Sequence, residues 1–148
     1  MTPLLYNLLK PNQKIQLNRL RRVMREGSPK YHYDVPAINF FVLGVDPGFI
    51  DMDIEGTFPR AKKYEPLDSC LVINNDVVDI SLTFNGSGGD EFLIPADTIR
   101  RISREEVGAI WQMRTTNLAA ATNVTLGTIA IELWRAPEDI DSIARGDL

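Results

Sequence analysis

The 148-residue chain has very little of the chemistry that most active sites use. It contains one cysteine, Cys70, and one histidine, His32. A single cysteine excludes an internal disulfide framework and a cysteine-based zinc site, and no serine or cysteine stands at a recognisable catalytic spacing from His32. We therefore expect a buried thiol, a histidine that packs or forms hydrogen bonds, no enzymatic activity, no cofactor and no bound metal.

Long apolar runs are also missing. No stretch reaches the roughly 18 apolar residues that a membrane-spanning helix needs, so we expect no membrane partner. The apolar residues near the N-terminus are interrupted by Pro3 and Asn7, and neither a basic segment nor a small-residue cleavage site flanks them. A secretion signal is therefore not expected. The length suits one domain with a core of its own.

Positive charge is concentrated near the N-terminus. Residues 1–30 hold seven lysines and arginines against one acidic residue, a net charge of +6, and residues 31–148 hold nine against nineteen, a net charge of −10. This division predicts a basic arm on an acidic body. The arm can fold back on its own body or reach a neighbouring acidic subunit or a nucleic acid. No aromatic residue lies between the arginines, so nucleic acid is the partner we do not expect.

Residues 1–37 form the predicted arm, and Asn12 can cap a helix that runs from Gln13 to about Glu26. Its apolar face is narrow, so the helix is marginal alone in water and has to dock on a protein surface. The extended segment 28–37 that follows can add to a sheet edge. The candidate interface residues are the apolar and basic residues of the helix and two tyrosines after it: Leu17, Arg19, Leu20, Arg22, Met24, Arg25, Tyr31 and Tyr33.

A β-rich body is predicted over residues 38–136, followed by an acidic tail at 137–148. Its clearest segment is Leu71–Phe84, in which Asn74-Asn75-Asp76 separates two runs of strand-forming residues. The alternation predicts a β-hairpin with the turn at those three residues and one face in the core: Val78, Ile80, Leu82 and Phe84. Further strands are predicted at 38–43, 49–54, 91–94, 98–102, 109–115 and 125–134. Seven to nine short strands indicate an antiparallel β-sandwich or a small barrel.

Two groups of side chains leave alternatives open. Asp51, Asp53 and Glu55 alternate along a predicted strand, where they could hold a calcium ion or form the solvated face of a sheet; we favour the solvated face. Trp111 and Trp134 could stack on a sugar, and core or subunit packing is the interpretation we favour for both.

Residues 69–134 resemble a pattern found in capsid decoration (cement) proteins of tailed phages and in related small β-modules. The resemblance covers less than half of the chain and leaves out the arm. It rests on five features: the turn Asn74–Asp76, the alternating segment Ile80–Gly86, the segment Phe92–Thr98 with Arg100 and Arg101 after it, the segment Ile110–Asn117, and the alanine-rich turn before Val124–Leu133.

The resemblance implies a structural virion protein on the outside of a phage capsid, which works through surfaces and not through a catalytic site. The implied partners are further copies in a homo-oligomer, expected to be a trimer, and the major capsid protein. The arm would tie the protomer to a neighbour or to the shell. Two other functions stay open: another virion component, such as a tail, adaptor or fibre module, and a carbohydrate-binding β-sandwich.

Overall fold

A computed structural model describes residues 7–26, 29–86 and 90–136. Two antiparallel sheets of four strands build the body, which confirms the predicted β-sandwich. The first sheet has the order β1 (Tyr31–Asp34), β8 (Ile129–Trp134), β3 (Ser69–Asn74), β6 (Thr98–Ile102). The second has the order β2 (Phe49–Asp53), β7 (Gln112–Asn117), β4 (Ile80–Phe84), β5 (Glu91–Ile94).

The strand pairing identifies the sandwich as a jelly roll. The first strand pairs with the eighth, the second with the seventh, the third with the sixth and the fourth with the fifth. The chain is thus folded back on itself once, and this long double ribbon wraps into two facing sheets. Only the connection between β4 and β5 stays within one sheet. Eight strands in this arrangement are the double-sheet jelly roll.

The core lies between the sheets and follows the predicted alternation. Each fully buried large apolar side chain contributes about 1.5–3 kcal/mol, so the inward faces of the central strands carry much of the stability. The four residues predicted to face inward are all buried, Val78, Ile80, Leu82 and Phe84, and so are Ile129, Ile131 and Leu133 of β8. Cys70 is buried among them, as expected for a structural thiol.

The predicted hairpin at Leu71–Phe84 is wrong. β3 pairs with β6 and β8, whereas β4 pairs with β5 and β7, so the segment between them crosses from one sheet to the other. The reason is the fully buried side chain of Asn74. Its amide Nδ2 donates to the carbonyls of Val78, Ile94 and Pro95 at 3.0, 3.2 and 3.2 Å, which ties the crossing to the next strand pair.

One other connection differs from the prediction. The expected strand 38–43 is a loop in which Ile38 makes one isolated bridge to Val124 and Val42 closes a tight turn with Asp46. The connection after β2 holds no strand but two short helices, α2 (Ile54–Thr57) and a 3₁₀-helix (Pro59–Lys63). The side chain of Asp53 starts α2 by accepting a hydrogen bond from the N–H of Gly56 at 2.9 Å.

The arm contains helix α1 (Pro11–Glu26), which begins at Pro11 and not at Gln13 because a proline without an N–H fits the first helical turn. Residues 31–34 form β1 and pair with β8, so the sheet begins inside the predicted arm. This confirms the sheet-edge prediction for the segment 28–37. The predicted tail at 137–148 lies outside the described residues. Within the described ranges, no helix is both long and apolar enough to cross a membrane.

Candidate interaction surfaces

The strand directions divide the connections between the two ends of the sandwich. The last residue of β3, Asn74, lies opposite the first residues of β6 and β8, and the first residue of β4, Ile80, lies opposite the last residues of β5 and β7. Four connections therefore leave from one end: 35–48, 75–79, 95–97 and 118–128. The other end holds the connections 54–68, 85–90 and 103–111, and the short helix α3 (Arg104–Val107) lies in the last of these. We call the first of these two ends the apolar end and the second the charged end.

The apolar end carries exposed apolar side chains and no basic side chain. Its four connections contain four aspartates and no lysine, arginine, glutamate or histidine. Six large apolar residues there are between 44% and 86% exposed: Phe41, Leu43, Val45, Val77, Leu118 and Leu126. An apolar surface of this kind on one end of a folded domain indicates a contact region.

A buried aspartate holds two of these connections together. The carboxylate of Asp76 accepts hydrogen bonds from the N–H of Thr125 at 3.0 Å, the hydroxyl of Thr128 at 2.7 Å and the N–H of Val78 at 3.1 Å. Burial alone would raise the pKa of this carboxyl, but these hydrogen bonds, with one from the N–H of Val77, outweigh it and lower the pKa. The ionised form is therefore part of the folded structure.

A buried asparagine, Asn117, joins the connections 35–48 and 118–128. Asn117 donates to the carbonyls of Ile38 and Thr122 at 3.0 and 2.9 Å, and its Oδ1 accepts from the N–H of Ala119 at 2.8 Å. The loops at the apolar end are thus fixed to one another by side-chain hydrogen bonds, so the apolar residues they carry have a defined arrangement.

The charged end is where the arm meets the body. Its connection 54–68 carries charges of both signs, three basic and three acidic residues. Leu17 of α1 is fully buried, and the guanidinium of Arg19 donates to the carbonyl of Glu65 at 3.0 Å. Arg135, also fully buried, donates to the same carbonyl at 3.0 Å. The first half of α1 therefore packs on its own body.

The other predicted interface residues fall into two groups. Tyr31 and Tyr33 face inward from β1 and pack against the core, and burial raises the pKa of both phenols. The ring of Tyr31 stands 5.4 Å from that of Phe58. The remaining four belong to α1, but their side chains lie outside the part of the chain that the structure describes: Leu20, Arg22, Met24 and Arg25. An intermolecular role for these residues stays a prediction.

Two of the three alternating carboxylates on and after β2, Asp51 and Asp53, have partners within the chain. Asp51 forms a bidentate ion pair with Arg114 at 2.8 and 3.1 Å, and that guanidinium lies 3.7 Å from the ring centre of Phe49. Asp53 caps α2, as described above. In the ranges that the structure describes, no group of three or more histidine, cysteine or acidic residues is placed to hold a metal ion.

The remaining singled-out side chains have plain roles. His32 shares a hydrogen bond of 2.7 Å with Asp34, in keeping with the expected hydrogen-bonding histidine. Lys30 and Arg101 lie over the ring of Trp134, 5.2 and 5.3 Å from its centre. Trp111 is 46% exposed and so does not lie in the core, which leaves subunit packing and sugar stacking as the two untested interpretations of that residue.

The apolar loop residues were missed at the sequence level. The sequence predicts a strand at 38–43 and does not predict the exposure of the apolar run from Phe40 to Val45. A signal was present, because the run does not alternate and Gly44 interrupts it just before Asp46-Pro47-Gly48. Four consecutive apolar residues ahead of two turn glycines indicate an apolar loop as readily as a buried strand.

No protein-family model matches this sequence, and no curated protein matches it either. Among solved structures, the coat protein of tobacco streak virus is similar over 74% of this chain and 86% of its own, with 4% identity and a TM-score of 0.35. The virus-like particle of the extra small virus of the prawn Macrobrachium rosenbergii is similar over 76% and 82%, with 12% identity and a TM-score of 0.23. Both TM-scores are too low to carry an argument, so the fold assignment rests on the strand order alone.

Proposed function

We propose that the protein is a structural component of a virion. The observation that carries the proposal is the strand order, because the eight-stranded jelly roll is a recurrent architecture of viral capsid domains. Lectins and cupins use the same architecture, so the fold alone does not decide the function. The two ends of the sandwich add support: one presents fixed apolar loops and the other carries a basic helix, which suits a protein that works through contacts with other proteins.

Within this class we propose a capsid decoration protein of a tailed phage, as the resemblance of residues 69–134 implies. Further copies, in a homotrimer, and the major capsid protein would be its partners, and the capsid surface its location. The arm supports this form of the proposal in one respect. The net charge of +6 on residues 1–30 complements the net charge of −10 on residues 31–148, so α1 can pack on another subunit's body as it does on its own.

The test is to express the full chain alone and image it by electron microscopy, then mix it with phage heads that lack decoration and measure co-sedimentation. A decoration protein forms small oligomers alone and sediments with the heads. Closed shells formed by the chain alone would contradict decoration and support a shell-forming virion protein. Neither shells nor binding to any capsid would contradict the virion role.

A truncated variant separates the arm from the body. Removal of residues 1–30 leaves all eight strands in place, so its far-UV circular dichroism should keep the β-type spectrum while binding to heads is lost. The matched control replaces Lys10 and Lys14 by glutamine in the full chain, which removes charge but keeps α1. Undiminished binding by the truncated variant would overturn the role of the arm.

A further inference from the structure

The apolar end presents six large apolar side chains to solvent. Leu43 and Val45 at the tip of the first connection are 86% and 81% exposed, Val77 is 80% exposed, and Leu126 is 66% exposed. With Phe41 and Leu118, these side chains expose several hundred Å². The largest apolar patch of a typical monomer covers about 300–600 Å² and often has a function.

This surface is held in place and is not a loose loop. Val42 and Asp46 exchange two backbone hydrogen bonds of 2.9 Å around Gly44, and the Asp46 carboxylate accepts from Asn39 at 3.0 Å and from the N–H of Gly48 at 2.9 Å. Gly48 has a φ of +76°, and a Cβ at this position would stand 3.1 Å from the backbone of Phe41. Because the tip is already ordered, docking a partner there loses little conformational entropy.

The tip also offers a concave site. A cavity of about 260 Å³ opens between Phe41, Val42, Val45 and Pro47. Its wall is apolar apart from Asp46, which is engaged by the hydrogen bonds just described. A shallow apolar cavity next to protruding Leu and Val side chains has the shape that receives one such side chain from an opposing surface.

The charges at the apolar end restrict what can cover it. Lysine and arginine, which bind phosphates and anionic lipid headgroups, are absent from its four connections, and so are tryptophan and tyrosine. Nucleic acid would meet aspartates as the only charged side chains, and a membrane would find none of the tryptophan, tyrosine or basic anchors used at its interface. An apolar protein surface is the occupant that fits.

We infer that the apolar end is the contact surface between copies of this chain, with the loop tips of each copy packed against those of its neighbours. A second copy brings the same apolar loops and no glutamate, and three of the four aspartates on them, Asp46, Asp76 and Asp79, already accept hydrogen bonds within the chain. It also brings both the protruding side chains and the cavity that can receive them. A standard interface covers about 800 Å² on each partner, which the exposed side chains and the surrounding loop atoms of this end can supply.

The first test compares two charge-neutral double variants by analytical ultracentrifugation of the full chain over a concentration series. Leu43→Lys/Val45→Glu alters the apolar end. Leu93→Lys/Ile99→Glu alters two residues on strands, 50% and 67% exposed, and serves as the matched control. The first should weaken self-association at least about 30-fold, the loss typical of a disrupted interface centre, and the second should leave it within about twofold of wild type.

The second test introduces no charged residue into the loop tips. Val45→Cys places a thiol at the loop tip, and Leu93→Cys places one on β5. Cys70 does not interfere, because burial raises its pKa to about 12. A short bis-maleimide should join Val45→Cys copies into covalent dimers, since each copy offers one reactive thiol, and leave the Leu93→Cys variant monomeric on a denaturing gel.

The inference rests on the self-association that the proposed function includes, and the outcomes separate the two. A wild-type chain that stays monomeric at high concentration contradicts both. An oligomer that the Leu43→Lys/Val45→Glu variant leaves intact, or equal cross-linking at both cysteines, contradicts this inference alone. Binding of the wild-type chain to neutral phosphatidylcholine vesicles through the same residues, without self-association, would assign the surface to a membrane and overturn it.

Discussion

The two ends of the jelly roll use the same eight strands for different purposes. The apolar end has connections fixed by buried polar side chains, and it exposes Phe, Leu and Val at its surface. The charged end has short helices, residues of both charges and a docked basic helix. At the apolar end, buried polar side chains hold the loops together, and large apolar side chains are exposed. At the charged end, α1 buries Leu17, and the connection 54–68 carries charged residues at its surface. The sheets therefore supply the stability, and the connections determine the contacts.

Asparagine organises loops at both ends, but in different surroundings. Asn74 at the apolar end is fully buried and bonds to three carbonyls. Asn85 at the charged end is exposed; it donates to the carbonyl of Ala109 at 2.6 Å and accepts from the N–H of Trp111 at 2.7 Å. Water can replace the partners of Asn85 but not those of Asn74, and this contrast permits the strongest test of the comparison.

Asn74→Ala should cost about 3 kcal/mol of unfolding free energy, because buried carbonyls lose their donor and each unsatisfied group costs about 1–3 kcal/mol. Asn85→Gly should cost about 1 kcal/mol; glycine is the suitable truncation because Asn85 has a φ of 60°, where alanine would add strain. Urea unfolding at neutral pH measures both. Equal losses would show that burial does not distinguish the two ends.

Leu17→Ala should release the arm from the charged end. Truncation of a buried leucine costs about 2–5 kcal/mol, and Leu17 is fully buried, so α1 should undock while the sheets stay folded. We expect trypsin to cleave at the basic residues of α1 at least about tenfold faster, since cleavage follows the population of the open form.

Ile15→Ala is the control on the same helix, because Ile15 is 52% exposed. Its effect should stay within about 0.5 kcal/mol, as for most surface substitutions. The docking of α1 would be contradicted if both variants were cleaved at the same rate, or if Leu17→Ala abolished the β-type circular dichroism along with the protection.

Asp76→Asn should cost about 1–2 kcal/mol at pH 7, because it removes a charged acceptor of several hydrogen bonds. The folded-state pKa of Asp76 is lowered, so its contribution is fully present above the unfolded value near 3.9 and is lost as pH falls through the lower folded value. The difference in unfolding free energy between wild type and variant should therefore shrink below about pH 4. Urea unfolding at pH 7 and pH 3 measures it, and a difference that is the same at both values would contradict the assignment.

How much of the fold can be predicted from sequence alone depends on whether the interactions are local or long-range along the chain. Alternation placed Ile80, Leu82 and Phe84 in the core correctly, because period-two burial is a local property of a strand. It could not say which strand pairs with which. The turn residues Asn74–Asp76 are as common at a sheet-to-sheet crossing as at a hairpin, and the donors of Asn74 find their acceptors across the sandwich at Ile94 and Pro95.

The contact surfaces were foreseen in part. Charge division along the chain identified the basic arm, since a sum over residues needs no three-dimensional information. The apolar end could not be recognised, because residues from the segments 35–48, 75–79 and 118–128 meet only once the jelly roll is closed. Leu126 and Val77 are unremarkable in sequence and come to the same end of the sandwich as Leu43 only through the topology.

The smallest expected effect concerns salt, and it separates the two ends as sites of self-association. Contacts between a basic arm and an acidic body weaken when ions screen them, whereas sodium sulfate strengthens the burial of apolar surface. If copies meet at the apolar end, raising sodium sulfate from about 0.1 to about 0.5 M should tighten self-association a few-fold. Sedimentation velocity at fixed protein concentration measures this change. The Leu43→Lys/Val45→Glu variant should not respond, because the surface whose burial sulfate favours is altered. Dissociation of the wild-type oligomer by the same salt would place the contact at the basic arm instead.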